Sequence, residues 1–71
     1  MVVYESIIVV NGALAAHTDT DESAALLHAR RVAEHLGLAV DPDMDADAVQ
    51  EVLIDDDRVA YADVAVERRL Y

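Results

Sequence analysis

Three histidines, two arginine pairs and a run of alternate aspartates are the groups in this chain whose types and spacing could do chemistry. His28 and His35 are seven residues apart, which on a helix stacks them two turns along one flank. Their Cβ atoms would then lie roughly 10 Å apart, too far for both to hold one metal ion. His17 begins a short stretch, His17-Thr18-Asp19-Thr20-Asp21, that offers an imidazole and carboxylates together, and a packed hairpin could bring it near His28. The competing reading is of surface histidines paired with neighbouring acids. Arg30-Arg31 and Arg68-Arg69 are the only concentrated positive charge. Merged into one patch, they could grip phosphate or carboxylate in planar, two-pronged fashion. Pairing with Glu34, Glu67 and nearby aspartates would occupy them instead. Ser6 and Ser23 complete a Ser/His/Asp trio on paper, but neither stands in a nucleophile-elbow setting. With Gly12 and Gly37 the only glycines, there is no phosphate-cradling loop. The expectation is a protein without catalytic residues or cofactor.

Asp41, Asp43, Asp45 and Asp47 in the run DPDMDAD supply carboxylates at alternate positions. This resembles the opening of an EF-hand calcium loop, with ligands at loop positions 1, 3, 5 and 7. The resemblance covers seven residues and then breaks. Ala46 stands where the loop needs glycine, and Val52 where a closing bidentate glutamate belongs, with Glu51 one place early. A calcium or zinc protein is therefore an alternative reading beside a hydrated acidic turn that caps a helix.

Ten aspartates and five glutamates face five arginines, no lysine is present, and the net charge is -10. At low ionic strength such self-repulsion works against a compact state, and at molar salt a Debye length of roughly 3 Å screens it. Carboxylates also keep a surface hydrated where salt strengthens apolar association, while the long apolar stem of lysine adds to that association. The pattern is similar to that of proteins from haloarchaea and from the viruses that infect them, which implies a high-salt cytoplasm or a virion. The same acidity opposes nucleic acid, whose binding relies on cation stripes and counterion release. A regulator touching nucleic acid through Arg30, Arg31, Arg68 and Arg69 is the alternative. No stretch approaches the ~20 apolar residues of a membrane span, so no membrane partner is expected.

The elements that must position these groups read as α+β. Val2–Val10 is dense in β-branched residues and predicts a strand. Asn11-Gly12 suits a type I′ turn, so Ala13–Thr18 returns as a second strand with Val10 opposite Ala13, Val9 opposite Leu14 and Ile7 opposite Ala16. A helix starting at Ala13 is the competing assignment. Ala25, Leu26, Ala29, Val32, Ala33 and Leu36 share one face of an amphipathic helix over about 21–36, capped by Thr20 or Asp21 and stopped by Gly37. A short second helix carries Val49, Val52 and Leu53. Arg58–Tyr71 alternates in two phases, which predicts a strand with a bulge near Ala62-Asp63 or two short strands, with a continuous helix as the competing assignment. Residues 1–71 thus read as one small acidic domain: a single sheet from an N-terminal hairpin and a C-terminal strand, with both helices on one face.

Such a domain is short of core. Thirteen alanines and eleven valines bury little area each, tyrosine is the only aromatic residue type, and there is no cysteine for a disulfide. Association supplies the missing burial. The sequence therefore points to a non-enzymatic interaction or structural module, working as a homo-oligomer or as a subunit beside another protein. The expected contact residues are Tyr4, Ile8, Tyr61, Leu70 and Tyr71, with Val2–Val10 as an exposed sheet edge open to another chain.

Overall fold

Asn11 and Gly12 both take positive φ, 50° and 79°, and close the hairpin as a type I′ turn. The computed structural model describes Met1–Tyr71. Strand β1 (Val2–Val10) turns into β2 (Ala13–Asp19) with Val10 opposite Ala13, Val9 opposite Leu14 and Ile7 opposite Ala16, the register the turn dictates. Helices α1 (Glu22–His35) and α2 (Ala46–Ile54) follow, and strand β3 (Val59–Arg69) completes a three-stranded antiparallel sheet in the order β2-β1-β3. The architecture is α+β, with both helices on one face of one open sheet.

Each helix begins on an aspartate. The Asp21 carboxylate accepts the Ser23 N–H at 3.0 Å, and that of Asp45 accepts the Ala48 N–H at 2.9 Å. Gly37, at φ 76°, ends α1 in the left-handed conformation that its lack of a Cβ permits. Arg58 then ties the next turn back: it grips Asp56 with Nε at 2.9 Å and Nη2 at 2.7 Å, and Nη2 also donates to the Leu36 carbonyl at 2.8 Å.

The core is a thin layer between sheet and helices. Ile8, Val59, Ala62 and Val64 of the sheet meet Ala29, Ala33, Val49 and Leu53 of the helices. Ala25, Ala29 and Ala33 form the buried stripe of α1, and their small side chains let the helix settle close to β1. Ser6 lies in the same layer, fully buried. Its hydroxyl donates to the Ala25 carbonyl at 2.7 Å and accepts the Ala65 N–H at 2.9 Å.

That second bond marks the bulge in β3. Between the pairs Glu5–Val66 and Ile7–Asp63 the longer strand carries one extra residue, and Ala65 there has φ 50°. The irregularity thus falls at Val64–Ala65, slightly beyond the predicted Ala62-Asp63. A second shift, between Val9 and Val10, accommodates Ala60.

The expectation of an exposed β1 edge is corrected. β1 is the central strand, because β3 pairs along its second side, and the free edges belong to β2 and β3. Ile8, at 0 % exposure, belongs to the core and is removed from the contact surface.

Candidate functional site

Alternation along β1 sends Tyr4, Ser6, Ile8 and Val10 toward the helices and Glu5, Ile7 and Val9 to the opposite side, while Val3, near the start of the strand, is buried at 6 % exposure. Cross-strand pairing carries that division across the sheet. Leu14 and Ala16 flank Val9 and Ile7 on one side; Tyr61, Asp63 and Val66 face Val9, Ile7 and Glu5 on the other. No helix covers this outer face. One end of it is polar: Arg68 Nε donates to Glu5 Oε1 at 3.4 Å, and the Thr18 hydroxyl donates to Glu5 Oε2 at 3.5 Å. The other end is apolar, with Ile7, Val9, Leu14 and Tyr61 side by side. Leu14 is 68 % exposed and Tyr61 49 %. The Tyr61 hydroxyl donates to Asp63, and that hydrogen bond is the main cause of the phenol's raised pKa.

Of the expected contact residues, Tyr61 therefore stands on an open apolar surface. Tyr4 points to the helix side, half-buried. Leu70 and Tyr71 have exposed side chains although the backbone is fastened, Leu70 N–H donating to the Met1 carbonyl at 2.8 Å.

The histidines assemble elsewhere, beside β2. His17, from the helix side of β2, stacks on His28 of α1 with ring centroids 5.3 Å apart. His17 Nε2 and Asp19 Oδ2 are 3.3 Å apart. The Asp21 N–H, bonded to Asp19 Oδ1, is the main cause of that carboxylate's lowered pKa, and His17 adds to it. Burial lowers the pKa of His28, and the nearby His17 charge does so further. The His28 Nδ1 is buried without a hydrogen-bond partner. These side chains, with Ala24, Leu27 and Arg31, line a concavity of about 320 Å³; a second of about 410 Å³ continues along α1 between Arg31, Glu34 and His35. The two concavities meet at Arg31: the first, beside β2, holds His17, Asp19 and His28, and the second holds Glu34 and His35. Sequence reasoning left the His17–His28 approach open, as one way the hairpin could pack, and missed the concavities, since it ran the wrong strand along the edge.

The stacked rings place their nitrogens in nearly parallel planes, 21° apart, so their lone pairs do not converge on one ion. Neither here nor elsewhere do three or more His, Asp or Glu side chains come together as a metal site. Asp41, Asp43, Asp45 and Asp47 do not close into a calcium shell: Asp45 caps α2, Asp47 lies in its first turn, and the Met44 N–H donates to the Asp41 carbonyl in a tight turn.

The arginine pairs do not merge into one patch. Arg30 donates to the carbonyls of Pro42 and Met44 at 3.1 and 3.2 Å and so holds the interhelical loop. Arg31 stands where the two concavities meet, Arg68 lies with Glu5 on the opposite face of the sheet, and Arg69 is exposed. The Ser6 hydroxyl is committed to two structural bonds, which removes it as a nucleophile. Gln50, unremarked in the sequence, proves informative: its Oε1 accepts the Val64 N–H at 3.1 Å and blocks the outward side of β3.

Compared with protein-family models, curated proteins and solved structures, the chain matches none.

Proposed function

We propose that the protein is a non-enzymatic interaction module that associates with copies of itself, alone or within a larger assembly, in a high-salt setting. The observation that carries this reading is the uncovered outer face of the sheet. Only eleven of 71 residues are buried, while Ile7, Val9, Leu14 and Tyr61 form a continuous apolar patch on the side away from the helices. Monomers keep such patches small, and larger ones mark contact sites. Strands about 4.8 Å apart, rising about 3.4 Å per residue, give a face of roughly 24 by 14 Å, or about 500 Å² once side-chain relief is included. Two such faces stacked bury about 1,000 Å² in total, the lower bound for a specific interface.

The salt setting is supported by the charge of -10 and the absence of lysine. Repulsion between two copies so charged opposes association in dilute buffer and is screened at molar salt. The test is absolute mass by light scattering in about 3 M KCl, where screening is nearly complete. A discrete oligomer of the 7.7 kDa chain is expected. The Val9→Asp variant should stay folded and lower the mass, because its carboxylate would be desolvated between the stacked faces. A monomer for the unaltered chain would overturn the reading.

A further inference from the structure

We propose that the free edge of β2 pairs antiparallel with the same edge of a second copy, joining two sheets into one of six strands; this rests on the self-association reading above. The two sheet edges differ in a way that selects β2. On β3, Gln50 occupies the outward Val64 N–H, and the bulge at Ala65 breaks the ladder. A strand cannot add there without displacing both devices. On β2 nothing intervenes. The two-residue turn makes Val10 and Ala13 the hydrogen-bonded closing pair, so Ala13, Ala15, His17 and Asp19 bond to β1. The N–H and C=O groups of Leu14, Ala16 and Thr18 therefore point outward, unpaired along a strand with no bulge or proline.

Charge identifies the occupant as a second copy. Ser6 bonds to Ala25, and Ile8 shares a cluster with Ala29 and Ala33, so α1 runs alongside β1 and opposite to β2. Arg31 and His35 consequently stand toward the Ala13 end of β2, while Asp19, Asp21 and Glu22 stand at the other. A two-fold axis at Ala16 places Leu14 opposite Thr18 of the second copy and Ala13 opposite its Asp19. The acidic start of α1 in one copy then meets Arg31 and His35 of the other, twice over. The concavities along α1 carry Asp19 and Glu34 as well, so Arg31 is the one fixed positive charge there, and across the axis it is the group that the second copy's Asp21 and Glu22 approach. Leu27, exposed on the wall of the first concavity, faces the opposing helix. The joined sheets also present one continuous outer face of twice the area, which lifts stacking of two such pairs from the minimum into the standard range of interface sizes.

Residue-resolved amide hydrogen exchange in about 3 M KCl, where charge repulsion is screened, tests the pairing alongside the mass. In an edge-paired protein the Leu14, Ala16 and Thr18 amides are expected to be protected at least a hundred-fold relative to an open strand. Ala16→Pro removes an outward N–H that β1 does not use, and should abolish the protection and lower the mass. Leu27→Glu leaves β2 untouched and should weaken association at least ten-fold, which covers the case in which the proline variant does not fold. An oligomer whose three amides exchange freely would overturn the edge pairing and leave association through the outer face standing. An oligomer indifferent to Leu27→Glu would also overturn it. A monomer with open amides would overturn both.

Discussion

Replacing Ser6 with alanine tests the most concentrated piece of packing in the fold. The hydroxyl is fully buried and joins three elements: it sits on β1, donates to Ala25 of α1 at 2.7 Å and accepts from Ala65 of β3 at 2.9 Å. Ala65 is held at φ 50°, and its N–H lies at the bulge, where the ladder offers no carbonyl in place of the hydroxyl. Removing the oxygen strands that donor, at about 1–3 kcal/mol, and loses the bond to α1. A small return comes from burying a methyl in place of a hydroxyl, so the net expectation is a loss of about 2 kcal/mol. A domain of 71 residues has a total stability of about 4–11 kcal/mol, so the loss is a large share of it. Urea unfolding in molar KCl followed by circular dichroism is the assay, urea leaving the ionic strength unchanged. With m about 1 kcal/mol/M for so small a domain, the midpoint should fall by about 2 M at unchanged m. A fall corresponding to less than about 0.5 kcal/mol would refute the reasoning, since the bulge would then not depend on the hydroxyl.

Four further outcomes follow from the geometry. Ala65→Gly, which frees the positive φ at the bulge, should stabilise by about 0.5–1 kcal/mol in the same urea assay. Asp45→Ala should cost about 1 kcal/mol through loss of the α2 cap, and calorimetry should show no calcium heat with either protein. Acid should destabilise in two stages. The unfolded chain protonates His28 near its ordinary 6.5 while burial lowers the pKa of the folded form, so stability falls as pH drops below about 6.5; the His28 ring resonances should titrate below that value. Asp56, held at about 2 chiefly by its hydrogen bond from Arg58, contributes fully above about 4 and loses that contribution as pH falls through 2, a stage that Arg58→Met should remove. Finally, transfer from molar KCl to dilute buffer should loosen the fold reversibly, and equal melting temperatures at both extremes would show that the charge of -10 is tolerated unscreened.

The local features of the fold were legible wherever one short segment determined them. Asn11-Gly12 set the hairpin and its register, and Ala25, Ala29, Ala33 and Gly37 set the extent and face of α1. What could not be read was the partner on the far side of β1. Val2–Val10 is apolar in both phases of its alternation, so the sequence does not show which side faces the helices. Its central position depends on pairs such as Val10 with Val59, distant in the chain. The edge was consequently placed on the wrong strand, and Ile8 on the surface. The displaced bulge has a similar cause: the phase change in β3 is set by the Ser6 hydroxyl from another strand, which nothing within Arg58–Tyr71 announces.

The alanine stripe of α1 has a consequence for how this protein can change over generations. A slab 15 Å thick, with Ala25, Ala29 and Ala33 at its contact layer, has no slack on the helix side. A larger side chain there lifts the helix off Ser6, so those positions tolerate almost no drift. On the other side of the same sheet, Ile7, Val9, Leu14 and Tyr61 meet only their cross-strand neighbours, with no helix packed over them. Mutation can redraw that face while the layer behind it stays fixed. One sheet thus separates two kinds of selection: its inner surface preserves the architecture, and its outer surface is free to acquire, exchange or lose a partner.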